Sequence, residues 1–164
     1  MPSLGCWIAA LVASASCSVA CAGPPRCPAA TTIVVNTRSH QLTLCEQGRS
    51  VRTLPIAIGG GGTDKRREGD RKTPLGSYGL DAARSSAKFH RFVGIRYPTP
   101  EQAARGFTGS AVGIHGPSRK YGWLSSARNW IDWTDGCIAV ATDEDIDELV
   151  AWMARAGART VEIQ

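Results

Sequence analysis

Two segments of the sequence carry the main signal: Ile114-His115-Gly116 and Thr134-Asp135-Gly136-Cys137-Ile138-Ala139-Val140. A stretch rich in aromatic residues and serine separates them. Cys137 and His115 each lie beside a glycine, an arrangement that suits a thiolate nucleophile and its general base. Composition alone favours the alternative, in which Cys137 is a buried small hydrophobic residue and His115 a core histidine.

The two glycines have predicted roles in the same chemistry. Gly136 can adopt a positive φ and turn the amides around Cys137 toward a developing oxyanion, and we expect Gly116 to act in the same way beside His115. A neighbouring imidazolium or convergent N–H groups would lower the pKa of the thiol. We therefore expect Cys137 to be ionised at neutral pH.

A third segment, before His115, reads Gly69-Asp70-Arg71-Lys72-Thr73-Pro74-Leu75-Gly76-Ser77-Tyr78. Together with the His-Gly pair and Thr-Asp-Gly-Cys-Ile, it resembles the signature of the L,D-transpeptidase family, the YkuD-type catalytic domain. The resemblance covers residues 31–163. It implies a mainly β (α+β) fold, an L,D-transpeptidase-like β-sandwich with one C-terminal helix and short helical turns.

The resemblance also implies a mechanism. Cys137 would attack the carbonyl of the third, diamino-acid residue of a peptidoglycan stem peptide, expel the terminal D-Ala and hold a thioester until an amine arrives. His115 would act as base and then as acid, oriented by a backbone carbonyl near Gly116. Backbone N–H groups of Gly136 and Cys137 would form the oxyanion hole. Carbapenem-type β-lactams would acylate the thiol, and no metal or organic cofactor would be required.

Three residues are assigned to substrate binding: Thr134, Asp135 and Tyr97. Two positions depart from the family pattern. Ala139 stands where the family usually has an Arg, which could clamp a carboxylate, and Asp135 stands where His, Arg or Ser is more usual. A turn residue that bonds its own backbone is the alternative role for Asp135. The departures leave open a hydrolase of the same family, an L,D-carboxypeptidase or amidase, and an inactive wall-binding module.

Length and composition fit one globular domain, since the chain has 164 residues, 43% of them hydrophobic and 20% charged. Residues 1–22 have the profile of a signal peptide, with an apolar run and then an Ala-Cys-Ala segment. Residues 23–30 are assigned to a linker and residues 31–164 to the catalytic domain. This organisation predicts export to the periplasm or cell wall. Lipoprotein anchoring at Cys17 or Cys21 is a weaker interpretation, because neither has Leu three residues earlier.

Three cysteines remain after residue 22: Cys27, Cys45 and Cys137. Cys27 and Cys45 flank a predicted hairpin, so in an oxidising compartment we expect them to form a disulfide that leaves Cys137 free. The alternative is two free or buried thiols. Cysteine and histidine spacings do not predict a zinc site.

The formal charge of +5 includes a basic run within residues 65–72. Acidic residues are interleaved with this run, which argues against nucleic-acid binding and favours a solvated loop or, at most, a rim for an anionic polymer. The expected partners are peptidoglycan stem peptides, with a crosslinked envelope protein as a second candidate. No transmembrane span is expected in the mature chain.

Periodicity and turn signals predict the elements of secondary structure. A helix is expected to begin after Thr142 and end at Gly157, because an acidic first turn precedes apolar residues at helical spacing. A long loop over residues 59–72 is expected to flank the cleft. The tryptophans Trp123, Trp130 and Trp133 are interpreted as core packing or as a lid. Strands are expected at 33–35, 42–44, 51–58, 76–80, 92–96, 111–114 and 159–163, and a short helix at 100–105.

Overall fold

A computed structural model describes residues 27–119 and 131–164. The predicted signal peptide, Trp123 and Trp130 lie outside the described residues, as do residues 23–26 of the predicted linker. Among the residues that the structure does describe, no helix is long and apolar enough to cross a membrane.

The described chain is mainly β, as the sequence predicted. Its strands form one sheet in the order β4-β9-β1-β2-β3-β8-β7-β6-β5. The elements are β1 (Thr32–Asn36), β2 (Gln41–Glu46), β3 (Arg49–Ala57), β4 (Gly76–Gly79), β5 (Arg84–Ser86), β6 (His90–Gly94), α1 (Pro100–Ala104), β7 (Gly113–His115), β8 (Ile138–Val140), α2 (Asp143–Ala156) and β9 (Thr160–Ile163).

The predicted hairpin of β1 and β2 forms because local sequence favours both its strands and its turn. The side chain of Asn36 accepts hydrogen bonds from the backbone N–H groups of Arg38 and Ser39 at 3.1 and 3.0 Å, which reverses the chain after β1. A disulfide joins Cys27 to Cys45, the pair that the sequence predicted, with their Cα atoms 5.4 Å apart. The cross-link ties the segment before β1 to β2.

The sheet curls because β3 takes part in two halves of it. Along most of its length β3 pairs with β2, while Ile56 and Ala57 at its end pair with β8. An antiparallel bridge between Leu80 and Ile95 joins the chain after β4 to the chain after β6. The two ends of the strand order therefore approach each other around a shared hydrophobic core.

Helix α2 closes one side of this core. The Thr142 side chain accepts from the N–H of Asp145 at 3.1 Å, and Gly157 ends the helix in the left-handed conformation with φ of 70°. The apolar face of the helix, Ile146, Leu149, Trp152 and Met153, is buried. The predicted start and end of this helix are both confirmed.

Two strands were missed. The sequence Arg-Ser-Ser of β5 has no apolar alternation, and its pairing with β6 alone makes it an edge strand in the described part of the sheet. β8 is only three residues long and fully buried, so it offers no periodicity to recognise. These two strands matter because both border the site described next.

Candidate active site

Strands β7 and β8 bring the two predicted catalytic residues together. They are parallel neighbours, with Ile114 opposite Ile138 and His115 opposite Ala139. Cys137 immediately precedes β8, so this register places it beside Gly113, two residues before His115, and the side chains of Cys137 and His115 face the same side of the sheet. Both side chains line one cleft of about 670 Å³.

The imidazole of His115 is held in one orientation. Its Nδ1 lies 2.7 Å from the carbonyl oxygen of Gly116. Because a carbonyl oxygen can only accept, Nδ1 carries the proton of the neutral ring and Nε2 is left as the basic nitrogen. The Phe89 ring stacks on the imidazole with centroids 3.8 Å apart, and Trp133 contacts it edge-on at 5.9 Å.

Burial sets the protonation state of His115. The side chain is only 1% exposed. This burial lowers the pKa of His115 to about 4, with the Gly116 carbonyl acting in the opposite direction and the charge of Lys88 lowering it further. The ring is therefore neutral at pH 7 and can accept a proton.

The sequence predicted that Cys137 is ionised at neutral pH, and the structure contradicts this prediction. The residue is a free thiol and donates to the carbonyl oxygen of Ala111 at 3.5 Å. Burial raises the pKa of the Cys137 thiol above its ordinary value, and this outweighs the opposing effects of the Gly113 backbone and of Lys88. A neutral His115 supplies no imidazolium to stabilise a thiolate, so the resting pair is a thiol and an imidazole.

Thr134 braces the turn that carries Cys137. Its hydroxyl donates to the carbonyl oxygen of Cys137 at 2.7 Å and accepts from the N–H of Gly136 at 3.2 Å. The Gly136 N–H, one of the two predicted oxyanion donors, is thus already engaged. The N–H of Cys137 is the remaining donor of that pair.

The two glycines beside His115 and Cys137 differ in why the structure requires glycine. Gly136 has φ of +116°, and a Cβ there would lie 2.5 Å from the carbonyl oxygen of Lys72, so both conformation and space require glycine. Gly116 does not have a positive φ. A Cβ at Gly116 would lie 2.8 Å from the carbonyl oxygen of Phe89, so close packing explains this glycine and the predicted conformational role does not.

The loop over residues 59–72 packs against the turn that carries Cys137, and it supplies none of the residues that line the cleft. The N–H of Gly60 donates to the carbonyl oxygen of Thr134 at 2.9 Å. The N–H of Thr134 in turn donates to the carbonyl oxygen of Ile58 at 3.2 Å. Within the loop, Lys65 is 4% exposed and its ammonium lies 2.8 Å from Asp70. The interpretation of this basic run as a solvated loop is therefore wrong at Lys65, which anchors the loop internally.

The other predicted substrate-binding residues divide between the cleft and the core. Asp135 lines the cleft and its carboxylate lies 3.3 Å from the guanidinium of Arg71 at the rim. Tyr97 does not reach the cleft, since it is 6% exposed and its hydroxyl donates to the carbonyl oxygen of Lys65 at 3.0 Å. Its place in the core leaves it no access to a ligand bound beside Cys137.

Position 139, where the family usually has Arg, is also in the core. Ala139 is 1% exposed within β8 and does not line the cleft. The cleft wall instead carries three residues that sequence reasoning missed, Arg84, Lys88 and Phe89. They reach the site because β5 pairs with β6 and β6 pairs with β7, and no local sequence pattern predicts this pairing.

The described residues were also compared with the ligand sets that bind metal ions in proteins. Among residues 27–119 and 131–164, no group of three or more His, Cys, Asp or Glu side chains is arranged to hold a metal ion. The arrangement of a thiol, a basic imidazole nitrogen and a braced turn can support nucleophilic acyl chemistry from its own side chains.

Comparison with known families agrees with this geometry. The family model for the YkuD L,D-transpeptidase catalytic domain matches residues 30–163. The chain belongs to this family. Members act in the cell envelope, and the family match covers the curled sheet and the segments that carry His115 and Cys137. A search of curated proteins found no match.

Solved structures share the YkuD fold. The helical cell shape determining protein Pgp2 from Campylobacter jejuni has a TM-score of 0.65 and 22% identity, over 81% of this chain and 46% of the Pgp2 chain. Bd1075 from Bdellovibrio bacteriovorus has a TM-score of 0.57 and 20% identity, over 81% and 47%. An L,D-transpeptidase from Mycobacterium tuberculosis H37Rv has a TM-score of 0.51 and 17% identity, over 81% and 57%. This chain thus spans less than two thirds of each relative, and at these identities the likeness shows the fold.

Proposed function

We propose that this YkuD-family chain is a cysteine acyltransferase of the cell envelope that acts on peptidoglycan stem peptides by L,D-transpeptidation. The single observation that carries the proposal is the pairing of β7 with β8, which opens a free thiol and a basic imidazole nitrogen into one cleft. Residues 1–22 would direct export and residues 31–164 would form the catalytic domain.

The acylation step follows from the protonation states. The thiol proton of Cys137 passes to Nε2 of His115 as Sγ attacks the carbonyl carbon of the diamino-acid residue. The carbonyl electron pair moves to oxygen, and the N–H of Cys137 is the donor proposed to meet this charge. When the tetrahedral intermediate collapses, the carbon–nitrogen bond to D-Ala breaks and His115 returns the proton to the leaving amine.

Deacylation repeats the same steps with an acceptor amine. His115 removes a proton as the amine attacks the thioester carbonyl, the carbon–sulfur bond breaks, and Sγ regains its proton. The bond of Nδ1 to the Gly116 carbonyl supports both steps, because an imidazolium formed at His115 keeps that hydrogen bond. Aromatic walls from Phe89 and Trp133 limit water around the thioester.

The test uses the purified chain with a tetrapeptide-stem muropeptide and mass analysis of the products. A crosslinked dimer that retains no terminal D-Ala on the donor stem is the expected product. If a tripeptide is the only product, the reaction is hydrolysis and not transfer. An unchanged tetrapeptide would favour the inactive wall-binding module.

Two variants and one inhibitor locate the chemistry. Cys137→Ser should fold and lose all product, because a hydroxyl stays protonated where a thiol can be deprotonated by His115. His115→Ala should fold and lose most product, whereas loss of its cooperative unfolding transition would favour a structural histidine. Exposure to a carbapenem should add one drug mass to the wild type and none to Cys137→Ser.

A further inference from the structure

Two cationic side chains share the cleft wall with the imidazole. Arg84, on the edge strand β5, holds its guanidinium carbon 4.6 Å from the centre of the Phe92 ring. Lys88 holds its ammonium 4.9 Å from the centre of the Phe89 ring. Both line the same cleft as Cys137, and Phe89 is the ring that stacks on His115. Cation–π contacts thus fix two positive charges beside the reacting groups.

These cations have no acidic partner in the part of the chain that the structure describes. Among the described residues, no carboxylate lies within 4.0 Å of Arg84 or Lys88, although arginines elsewhere pair readily, as Arg91 does with Asp147 at 2.6 Å. The stretches outside the described residues, 1–26 and 120–130, contain no Asp or Glu. Asp135, the one acidic side chain among the described residues that line the cleft, pairs with Arg71. The wall therefore presents unneutralised positive charge to whatever fills the cleft.

We infer that Arg84 and Lys88 form a carboxylate-binding subsite that selects acyl donors with a free carboxylate near the scissile bond. The inference rests on the proposed function and names the chemistry its substrate must carry. A planar guanidinium can bind a carboxylate through two parallel hydrogen bonds, and an ammonium adds a point charge. Ala139, buried in β8, cannot supply such a clamp.

The charge of Lys88 already reaches the catalytic pair. It acts to lower the pKa of His115 and to lower that of Cys137. A bound carboxylate would neutralise this charge and make His115 a stronger base in the complex than in the free protein. The same neutralisation would raise the pKa of Cys137, so the two effects oppose each other in the proton transfer from the thiol to the imidazole, and the subsite acts through binding.

Binding is measured in the Cys137→Ala protein, which cannot turn over, by calorimetry with a synthetic N-acetylated tetrapeptide that contains isoglutamine and diaminopimelate. This peptide has two carboxylates, one on the terminal D-Ala and one on the diaminopimelate side chain. Adding Arg84→Gln or Lys88→Gln should weaken binding by about tenfold each, because each removes a charge-assisted hydrogen bond. The control Arg38→Gln removes an equal charge from the exposed turn between β1 and β2 and should change nothing.

Amidated peptides identify the carboxylate. If amidation of one carboxylate weakens binding to the Cys137→Ala protein and cancels the effect of Arg84→Gln and Lys88→Gln, that carboxylate is the ligand. The subsite is disproved if both variants bind the unmodified peptide as tightly as the Arg38→Gln control does. It is also disproved if the two substitutions weaken binding of the doubly amidated peptide as much as they weaken binding of the unmodified peptide. The proposed function fails separately: a wild-type chain that binds selectively but yields neither dimer nor tripeptide would keep the subsite and lose the acyltransferase.

Discussion

The hydroxyl of Thr134 joins two backbone groups of the turn before β8, donating to the carbonyl oxygen of Cys137 at 2.7 Å and accepting from the N–H of Gly136 at 3.2 Å. Thr134 was assigned to substrate binding from the sequence. Its hydroxyl is instead committed to the turn, although the residue also lines the cleft. It therefore acts as a positioning residue.

Thr134→Val should destabilise the protein and slow acylation, because it keeps the shape of the side chain while leaving buried backbone groups unsatisfied. The expected loss of unfolding free energy is about 1–3 kcal/mol by denaturant titration. Thr134→Ser keeps the hydroxyl and serves as the control. Wild-type acylation by a carbapenem in Thr134→Val would show that the turn holds its shape without the hydroxyl.

Gly136→Ala should cost more than a substitution that introduces backbone strain alone. Gly48 also has a positive φ, +80°, but no atom lies within 4 Å of a Cβ built there, whereas a Cβ at Gly136 meets the Lys72 carbonyl at 2.5 Å. Gly48→Ala should lose about 1 kcal/mol, and Gly136→Ala about 3 kcal/mol or more together with carbapenem reactivity. Equal losses in thermal unfolding would rule out the steric contribution.

His115 should make stability depend on pH between its unfolded and folded pKa values. The unfolded residue titrates near 6.5 and the folded one at about 4. Protonation therefore favours the unfolded chain, and stability falls as pH decreases from 6.5 through about 4. Relative to pH 7.5, His115 should cost about 2 kcal/mol at pH 5. His115→Gln should lack this component, which the difference between the two proteins in urea titrations at both pH values isolates from other groups.

The resting Cys137 should be a protonated thiol that is alkylated only through its small thiolate fraction. Because burial raises its pKa, the rate of reaction with iodoacetamide should keep rising above pH 9 instead of levelling off at neutral pH. The pH dependence is the readout, since restricted access slows alkylation at every pH. A plateau below pH 8 would restore the thiolate that the sequence predicted.

The disulfide should support stability and leave the site unaffected. Replacing Cys27 and Cys45 by Ser and Ala removes a cross-link between residues 18 apart, which should lower the unfolding free energy by about 3 kcal/mol and Tm by about 10 °C. Carbapenem acylation of Cys137 should persist at temperatures where the variant is folded. Two alkylatable thiols at Cys27 and Cys45 in the native wild type would contradict the pairing.

Local patterns in the sequence predicted the elements whose formation depends on neighbouring residues. The β1–β2 hairpin and helix α2 followed from turn and cap residues within a few positions of each other. The placement of His115 and Cys137 in one cleft also followed from sequence, through a family signature in which these residue types occur in a fixed order. These signals involve neighbouring residues or residue types in a fixed order, so they can be recognised in the sequence without knowledge of the fold.

Tertiary structure decided which residues surround that pair and how they are protonated. Arg84, Lys88 and Phe89 reach the cleft only because β5 and β6 pair beside β7, while the same curling of the sheet buries Tyr97. The protonation states of Cys137 and His115 depend on desolvation by groups distant in sequence. Local sequence patterns predict single helices and hairpins, because those depend on neighbouring residues. The burial of a side chain and its distance from residues far along the chain depend on the pairing of non-adjacent strands, which local patterns do not determine.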